Sequence, residues 1–134
     1  MTKKFITTNE APAAIGVYSQ AVVSGNTLYI SGQIPLVPDS MEIVSENIEA
    51  QIEQVFDNLT AICVEAGAKL DDAIKFNVYL TDLAHFPKVN TAMEQRLAAP
   101  YPSLLYTSPS PRDQSASGMP CGAGKKTSGA GGWG

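Results

Sequence analysis

The residues with chemistry to offer are few, and the most informative interrupt apolar strands. Ser31 closes the run Thr27-Leu28-Tyr29-Ile30 and is followed at once by Gly32. A missing Cβ lets backbone approach a ligand closely, beside a hydroxyl that can donate and accept. Tyr18 stands near the start of another strand-like run, two residues after Gly16. On pattern alone, Tyr18 and Ser31 each read first as satisfied structural residues and second as ligand contacts. His85, the single histidine, falls in the first turn of a helix, where a capping or surface role precedes acid-base work. Cys63 lies on an apolar helix face and reads as a buried, inert thiol. Asp71-Asp72 precede a strand and read as turn residues. The second cysteine, Cys121, lies far down the chain, so the two form no disulfide framework or metal spacing.

The elements that must position these residues follow from periodicity. Lys3–Thr8 reads as a first strand and Gly16–Val23 as a second. Ser24-Gly25-Asn26 supplies a tight turn and Thr27–Ser31 a third strand, which together predict a hairpin. Pro35 and Pro38 prevent the ladder from continuing. Ser45 is a candidate N-cap with Glu46 and Glu49 in the first turn, followed by Ile48, Ile52, Val55, Phe56, Leu59, Ile62, Cys63 and Ala66 at helical spacing. Gly67 supplies the stop. In Ala73–Leu80, Ile74, Phe76, Val78 and Leu80 alternate with Lys75, Asn77 and Tyr79, the pattern of a strand with one face against helices. Asp82 caps a second helix with Phe86, Val89, Met93 and Leu97 inward, and Pro100 and Pro102 end it. The predicted order is β-β-β-α-β-α. Two apolar helices need a wide sheet, so two further strands are expected to be missing and the chain to be marginally stable.

Composition bounds the partners. The chain carries 9 Lys and Arg against 13 Asp and Glu, a net charge of −4, and residues 1–102 alone carry −6. An acidic domain without a basic cluster is a poor partner for nucleic acid. Lys3-Lys4 leads into a stretch too short and polar for a signal-peptide core, and no apolar run approaches membrane-spanning length. A cytoplasmic domain with no membrane partner is the expectation.

From Ser103 the pattern breaks, and seven of the 11 glycines fall in this stretch. The run Leu104-Leu105-Tyr106-Thr107-Ser108-Pro109-Ser110-Pro111-Arg112-Asp113 resembles the conceptual translation of a transposase-type sequencing adapter. Ser117-Gly118-Met119-Pro120 is similar to the adapter's next constant segment. Residues 1–102 are therefore read as the domain, truncated, and residues 103–134 as a non-native, disordered tail.

Ala11-Pro12-Ala13-Ala14-Ile15-Gly16-Val17-Tyr18-Ser19-Gln20 and Ser31-Gly32-Gln33-Ile34-Pro35 resemble signatures of the RidA/YjgF family of reactive-intermediate (enamine/imine) deaminases. The similarity continues through the long helix, Lys75–Leu80, Asp82-Leu83, Val89-Asn90 and Pro100-Tyr101-Pro102, spanning residues 3–102. It implies an α+β, chorismate-mutase-like fold: a mostly antiparallel sheet with two helices on one face, here with its C-terminal strands missing or replaced. It implies a homotrimer with ligand clefts between subunits and hydrolysis of imines and enamines such as 2-aminoacrylate to 2-keto acids and ammonia, without a cofactor. Carried onto this sequence, Tyr18 lines the cleft, Ser31 and Gly32 hold ligand or water near the imine carbon, and Asn90 supports the site by hydrogen bonding.

One departure bears directly on activity. The family's carboxylate-binding arginine follows the proline of the segment matching Tyr101-Pro102 by two residues, and this chain has Leu104 there. Leucine cannot replace a guanidinium's bidentate grip. The late glutamate that supports the attacking water in the family has no counterpart, and Arg112 between Pro111 and Asp113 is a poor substitute. The chain as it stands is thus expected to be inactive. A non-catalytic, trimeric small-carboxylate binder on the same fold is the alternative, and a scaffold-like interaction protein the blandest one.

Overall fold

The computed structural model describes residues 2–107. The expectations for Arg112, Cys121 and the remainder of residues 108–134 lie outside the described residues. In chain order the elements are strands β1 (Lys3–Ile6), β2 (Ala21–Ser24) and β3 (Thr27–Ile30), helix α1 (Ile48–Glu65), strand β4 (Lys75–Tyr79), helix α2 (Phe86–Arg96) and strand β5 (Ser103–Thr107). Short 3-10 turns at Leu70–Asp72 and Leu83–His85 lead into β4 and α2.

β1, β2 and β3 form an antiparallel sheet in that order. Gly25 takes a positive φ of 62° in the two-residue connection between Ser24 and Thr27, which lets the hairpin close tightly. The register aligns Ile6, Ala21 and Ile30 across the three strands, and all three are buried. Phe5, Val22 and Tyr29 align in the next row on the other face, where Phe5 and Tyr29 are exposed. The second strand is shorter than its sequence pattern predicts and excludes Gly16–Gln20. β1 likewise ends at Ile6, because Thr8 bonds the side chain of Gln20 rather than a strand.

α1 forms because its apolar residues recur every three or four positions. Ile52, Phe56, Leu59, Ile62 and Cys63 are buried in the core they share with Ile6, Ala21, Ile30 and Phe76. Phe56 meets Phe76 of β4 edge to face at 5.9 Å. The N-cap is Asn47 rather than Ser45: the Asn47 side chain accepts from Ala50 N at 2.9 Å, while Ser45 Oγ accepts from Asn47 N at 3.0 Å. Ser45 organises the approach to the helix instead of closing it. At the other end Gly67, with φ of 84°, provides the left-handed stop.

Asn58 sits on the same buried stripe and is completely inaccessible. Its amide donates to the carbonyls of Ile34 and Leu36 at 3.4 and 3.1 Å and accepts from Gln54 Nε2 at 2.9 Å. The segment after β3, whose strand pairing among the described residues is limited to the isolated Leu36–Ile43 bridge, is thereby fastened to α1.

α2 buries Val89, Ala92 and Met93, with Leu97 following. Arg96 binds Glu53 and Asp57 of α1 at 2.5 and 2.8 Å and lies 5.7 Å above the Phe56 ring. Both carboxylates are substantially exposed, so this clamp sets helix alignment more than it adds stability. Asp82 caps the 3-10 turn, accepting from Ala84 N at 2.9 Å, and His85 occupies the N-cap position of α2. Asp71 accepts from Ala98 N at 2.9 Å and Asp72 from Lys69 N at 3.0 Å, so both act as backbone fasteners.

Two sequence expectations change. Order does not stop at Pro102: Ser103–Thr107 pair in parallel with Lys75–Tyr79, and Leu104, opposite Phe76, packs on the core. Ile74 lies just before β4 and is 69% exposed, whereas Asn77, expected on the polar face, is only 8% exposed. β5 covers that edge of β4, with Leu105 opposite Asn77.

Replacing Asn58 by alanine strips a donor from two backbone carbonyls and should cost about 1–3 kcal/mol in urea unfolding. Burial, aided by the Asp72 carboxylate, pushes the Cys63 thiol up to about 11. At pH 8 its alkylation, followed on the Cys63 peptide by mass mapping, should run roughly a hundredfold slower than in urea-unfolded protein.

Candidate functional site

The first part of the site is an irregular segment made rigid by one amide. Gln20 is 4% exposed, just before β2. Its Oε1 accepts from Thr8 N at 2.6 Å, and its Nε2 donates to the carbonyls of Thr8, Ala11 and Pro12 at 3.1, 3.3 and 2.7 Å. Two N–H groups thus serve three carbonyls, one bond being shared. Backbone that cannot enter a ladder is satisfied by a side chain acting as its template.

Tyr18 and Ser31 are both tied to this framework. The Tyr18 hydroxyl accepts from Ile15 N at 3.2 Å, which folds its half-exposed ring back over the preceding turn. Gly16 makes room: a Cβ there would lie 3.2 Å from the ring. Ser31 N donates to Gln20 O at 3.0 Å and Ser31 Oγ donates to Ser19 O at 2.6 Å. The hydroxyl proton is therefore engaged, and the oxygen presents lone pairs to whatever approaches. Gln33 Nε2 donates to Ser31 O at 3.0 Å, closing the turn around exposed Gly32.

Beyond Gly32 opens a cavity of about 460 Å³. Its walls are the Gly32–Pro35 segment and β4 with the residues after it, and its floor is the apolar stripe of α1. Polar groups at the wall include Gln33, Asn77, Tyr79 and His85. Burial raises the Tyr79 phenol above its ordinary value, so it stays protonated at neutral pH. Asn77 is the unusual member: both its side-chain polar atoms are buried and lack a hydrogen-bond partner among the described residues.

The structure thus gathers Tyr18, Ser31 and Gly32 around the Ser19–Gln20 backbone. It does not bring Asn90 to them. Asn90 is exposed on α2, does not line the cavity, and makes no side-chain hydrogen bond to another described residue. His85, read from sequence as a cap or surface residue, also stands at the cavity wall. Gln20 and Asn58 were not singled out from sequence. A polar residue in register with an apolar helical stripe was the available signal for Asn58, and a glutamine directly before Ala21-Val22-Val23 the signal for Gln20. At residue 104 a half-buried leucine packs against the core, and the carboxylate-binding function expected of that position has no cation there.

Residues 8–108 match the family described as Endoribonuclease L-PSP. The 2-iminobutanoate/2-iminopropanoate deaminase of Dermatophagoides farinae is 39% identical over 101 residues, covering 75% of this chain and 79% of that protein. RidA from the Antarctic bacterium Psychrobacter sp. PAMC 21119 is 50% identical, with a TM-score of 0.74 over 77% of this chain and 83% of that one. E. coli TdcF, solved with bound serine, is 35% identical, with a TM-score of 0.69 over 82% of this chain and 90% of that one. Among the described residues no helix is long and apolar enough to cross a membrane. With the Tyr18 and Ser31-Gly32 segments in place on an α+β frame of this shape, the chain belongs to the RidA/YjgF family, whose fold it shares.

Proposed function

We propose that this chain carries the framework of an enamine/imine deaminase acting on 2-aminoacrylate-like intermediates in the cytoplasm, in a form that does not turn over as it stands. The observation that carries this reading is the Ser31-Gly32 turn, locked to Ser19 and Gln20, in which Gly32 lines a cavity and Ser31 stands directly before it in the chain. A relative named as an imine deaminase lends it support.

The chemistry suits such a wall. An imine carbon is already electrophilic, so orientation of substrate and water can supply much of the rate. Water adds to that carbon, the C–N bond breaks, ammonia leaves and a 2-keto acid remains. Ser31 Oγ, with its own proton committed to Ser19 O, orients the water by accepting a hydrogen bond from it. Gly32 permits close approach. Tyr18 bounds the substrate on the outer side. No cofactor enters this scheme.

Leu104 is what disables it. A half-buried leucine offers no charge-assisted hydrogen bond to the substrate carboxylate, and such bonds contribute about 1.5–3 kcal/mol each. The aligned row of Phe5, Val22 and Tyr29, in which Phe5 and Tyr29 are exposed, supports assembly through that sheet face, which we propose gives a homotrimer in an intact relative.

A second reading is a trimeric binder of small carboxylates without turnover. The serine bound to E. coli TdcF favours it, as does the absence of a cation at residue 104. RNA cleavage, which the family's description names, draws little support from a chain of net charge −4.

Ammonia release from 2-aminoacrylate generated in situ should be at background for this chain. Exchanging everything after Pro102 for the corresponding segment of the Psychrobacter relative should raise it by about a hundredfold or more, the effect of roughly 2.7 kcal/mol of transition-state binding. A chimera that binds 2-oxobutanoate without releasing ammonia would establish the binder instead. In an active chimera, Ser31→Ala should lower kcat by about tenfold with little change in KM; unchanged kinetics would remove Ser31 from the site.

A further inference from the structure

We infer that Gln20 is a positioning residue for the deaminase reaction proposed above, an assignment that rests on that reading. It acts through Ser31: the buried Gln20 amide sets the carbonyl that takes the Ser31 proton, and so keeps Ser31 Oγ an acceptor toward water.

Residues 13–18 are largely exposed, whereas Ala11, Pro12 and Gln20 at the two ends of that loop are buried. Gln20 Nε2 joins the ends by donating to Ala11 O and Pro12 O at 3.3 and 2.7 Å. The same amide takes both backbone groups of Thr8, accepting from its N at 2.6 Å and donating to its O at 3.1 Å. Thr8 lies past the end of β1, so this side chain does for Thr8 what the peptide groups of a paired strand would do.

Ser31 hangs on the far side of this anchor. Its N donates to Gln20 O at 3.0 Å, one step beyond the Ala21–Ile30 pair that ends the β2–β3 ladder. Its Oγ donates to Ser19 O at 2.6 Å. Among the described residues Ser19 makes no other hydrogen bond, so its carbonyl goes where its neighbours Tyr18 and Gln20 take it. Tyr18 is half exposed and tied to its own loop through Ile15 N. Gln20, 4% exposed and bonded to three other residues through its side chain, is the neighbour that is fixed.

The Ser31 end of this chain of contacts tolerates little slack. A hydroxyl contact of 2.6 Å lengthened by about 1 Å is no longer a hydrogen bond. Released from Ser19 O, the Ser31 hydroxyl can rotate and donate to the water from which it had accepted. One lone pair of that water is then occupied, the wrong presentation for attack on an imine carbon. Such a reversal leaves substrate affinity in place and lowers turnover.

Gln20→Met keeps the length of the side chain and removes its hydrogen bonds. In the full chain, the Ser31 amide should exchange about tenfold faster or more in this variant, while the Ile62 amide of α1 keeps its rate. Unchanged exchange at Ser31 would overturn the proposal. In the chimera exchanged after Pro102, Gln20→Met should lower kcat by about tenfold with KM within about twofold. In a Ser31→Ala background the same change should cost less than about twofold, because Ser31 is the route. A tenfold loss that persists in that background, or a raised KM at unchanged kcat, would mark a general structural role and overturn the proposal as well. An inactive chimera would sink the deaminase reading by itself, with the exchange result deciding the role of Gln20. Loss of helical circular dichroism in Gln20→Met moves both measurements to Gln20→Glu, which retains an acceptor for Thr8 N; unfolding of that variant too would make Gln20 a folding residue and overturn the proposal.

Discussion

α1 carries the burden of holding two sheets in one core. Among the described residues, β1-β2-β3 and β4-β5 are separate hydrogen-bonded units, so no ladder fixes one against the other. What fixes them is the buried stripe through Ile52, Phe56, Leu59 and Ile62, which meets the Ile6–Ala21–Ile30 row and also Phe76. Apolar burial is strong but non-directional. Orientation comes from the polar residues placed on it: Asn58 ties down the segment after β3, and the Arg96 clamp aligns α2.

The site inherits this division of labour. Its cavity wall after β3 is irregular backbone, and irregular backbone needs partners that a strand would find in its neighbour. Buried carboxamides provide them, Gln20 before the turn and Asn58 behind the segment that follows. A side-chain amide carries donor and acceptor in the same geometry as a peptide group, which is why it can stand in for a missing strand without introducing charge.

Much of this was legible in the sequence, for definite reasons. The hairpin around Gly25 and the helix through Phe56 follow from local periodicity, and the structure has both. The Tyr18 and Ser31-Gly32 segments were visible as polar breaks in apolar runs. Boundaries were less legible, because a cap depends on geometry rather than residue type: Ser45 and Asn47 are equally good candidates, and Asn47 is the one that reaches Ala50 N. β5 was missed because Leu104-Leu105-Tyr106 is too short a run to announce a strand. The parallel ladder on β4 is a tertiary contact and supplies the template the local pattern lacks. Such a ladder is made of backbone and is indifferent to where its side chains originate. Asn77 misled in the opposite way, since its polarity suggested exposure while the neighbouring strand covers it.

The short bond from Ser31 Oγ to Ser19 O has an implication for discrimination. An oxygen that has already given away its hydrogen can be approached only by groups that bring their own, such as water, ammonium or a protonated imine nitrogen. A carbonyl oxygen facing it meets repulsion between lone pairs. Under the function proposed above, a Ser31 oxygen facing the substrate would tell a reactant with N–H from the oxo product that replaces it, and would loosen its hold as soon as nitrogen had left.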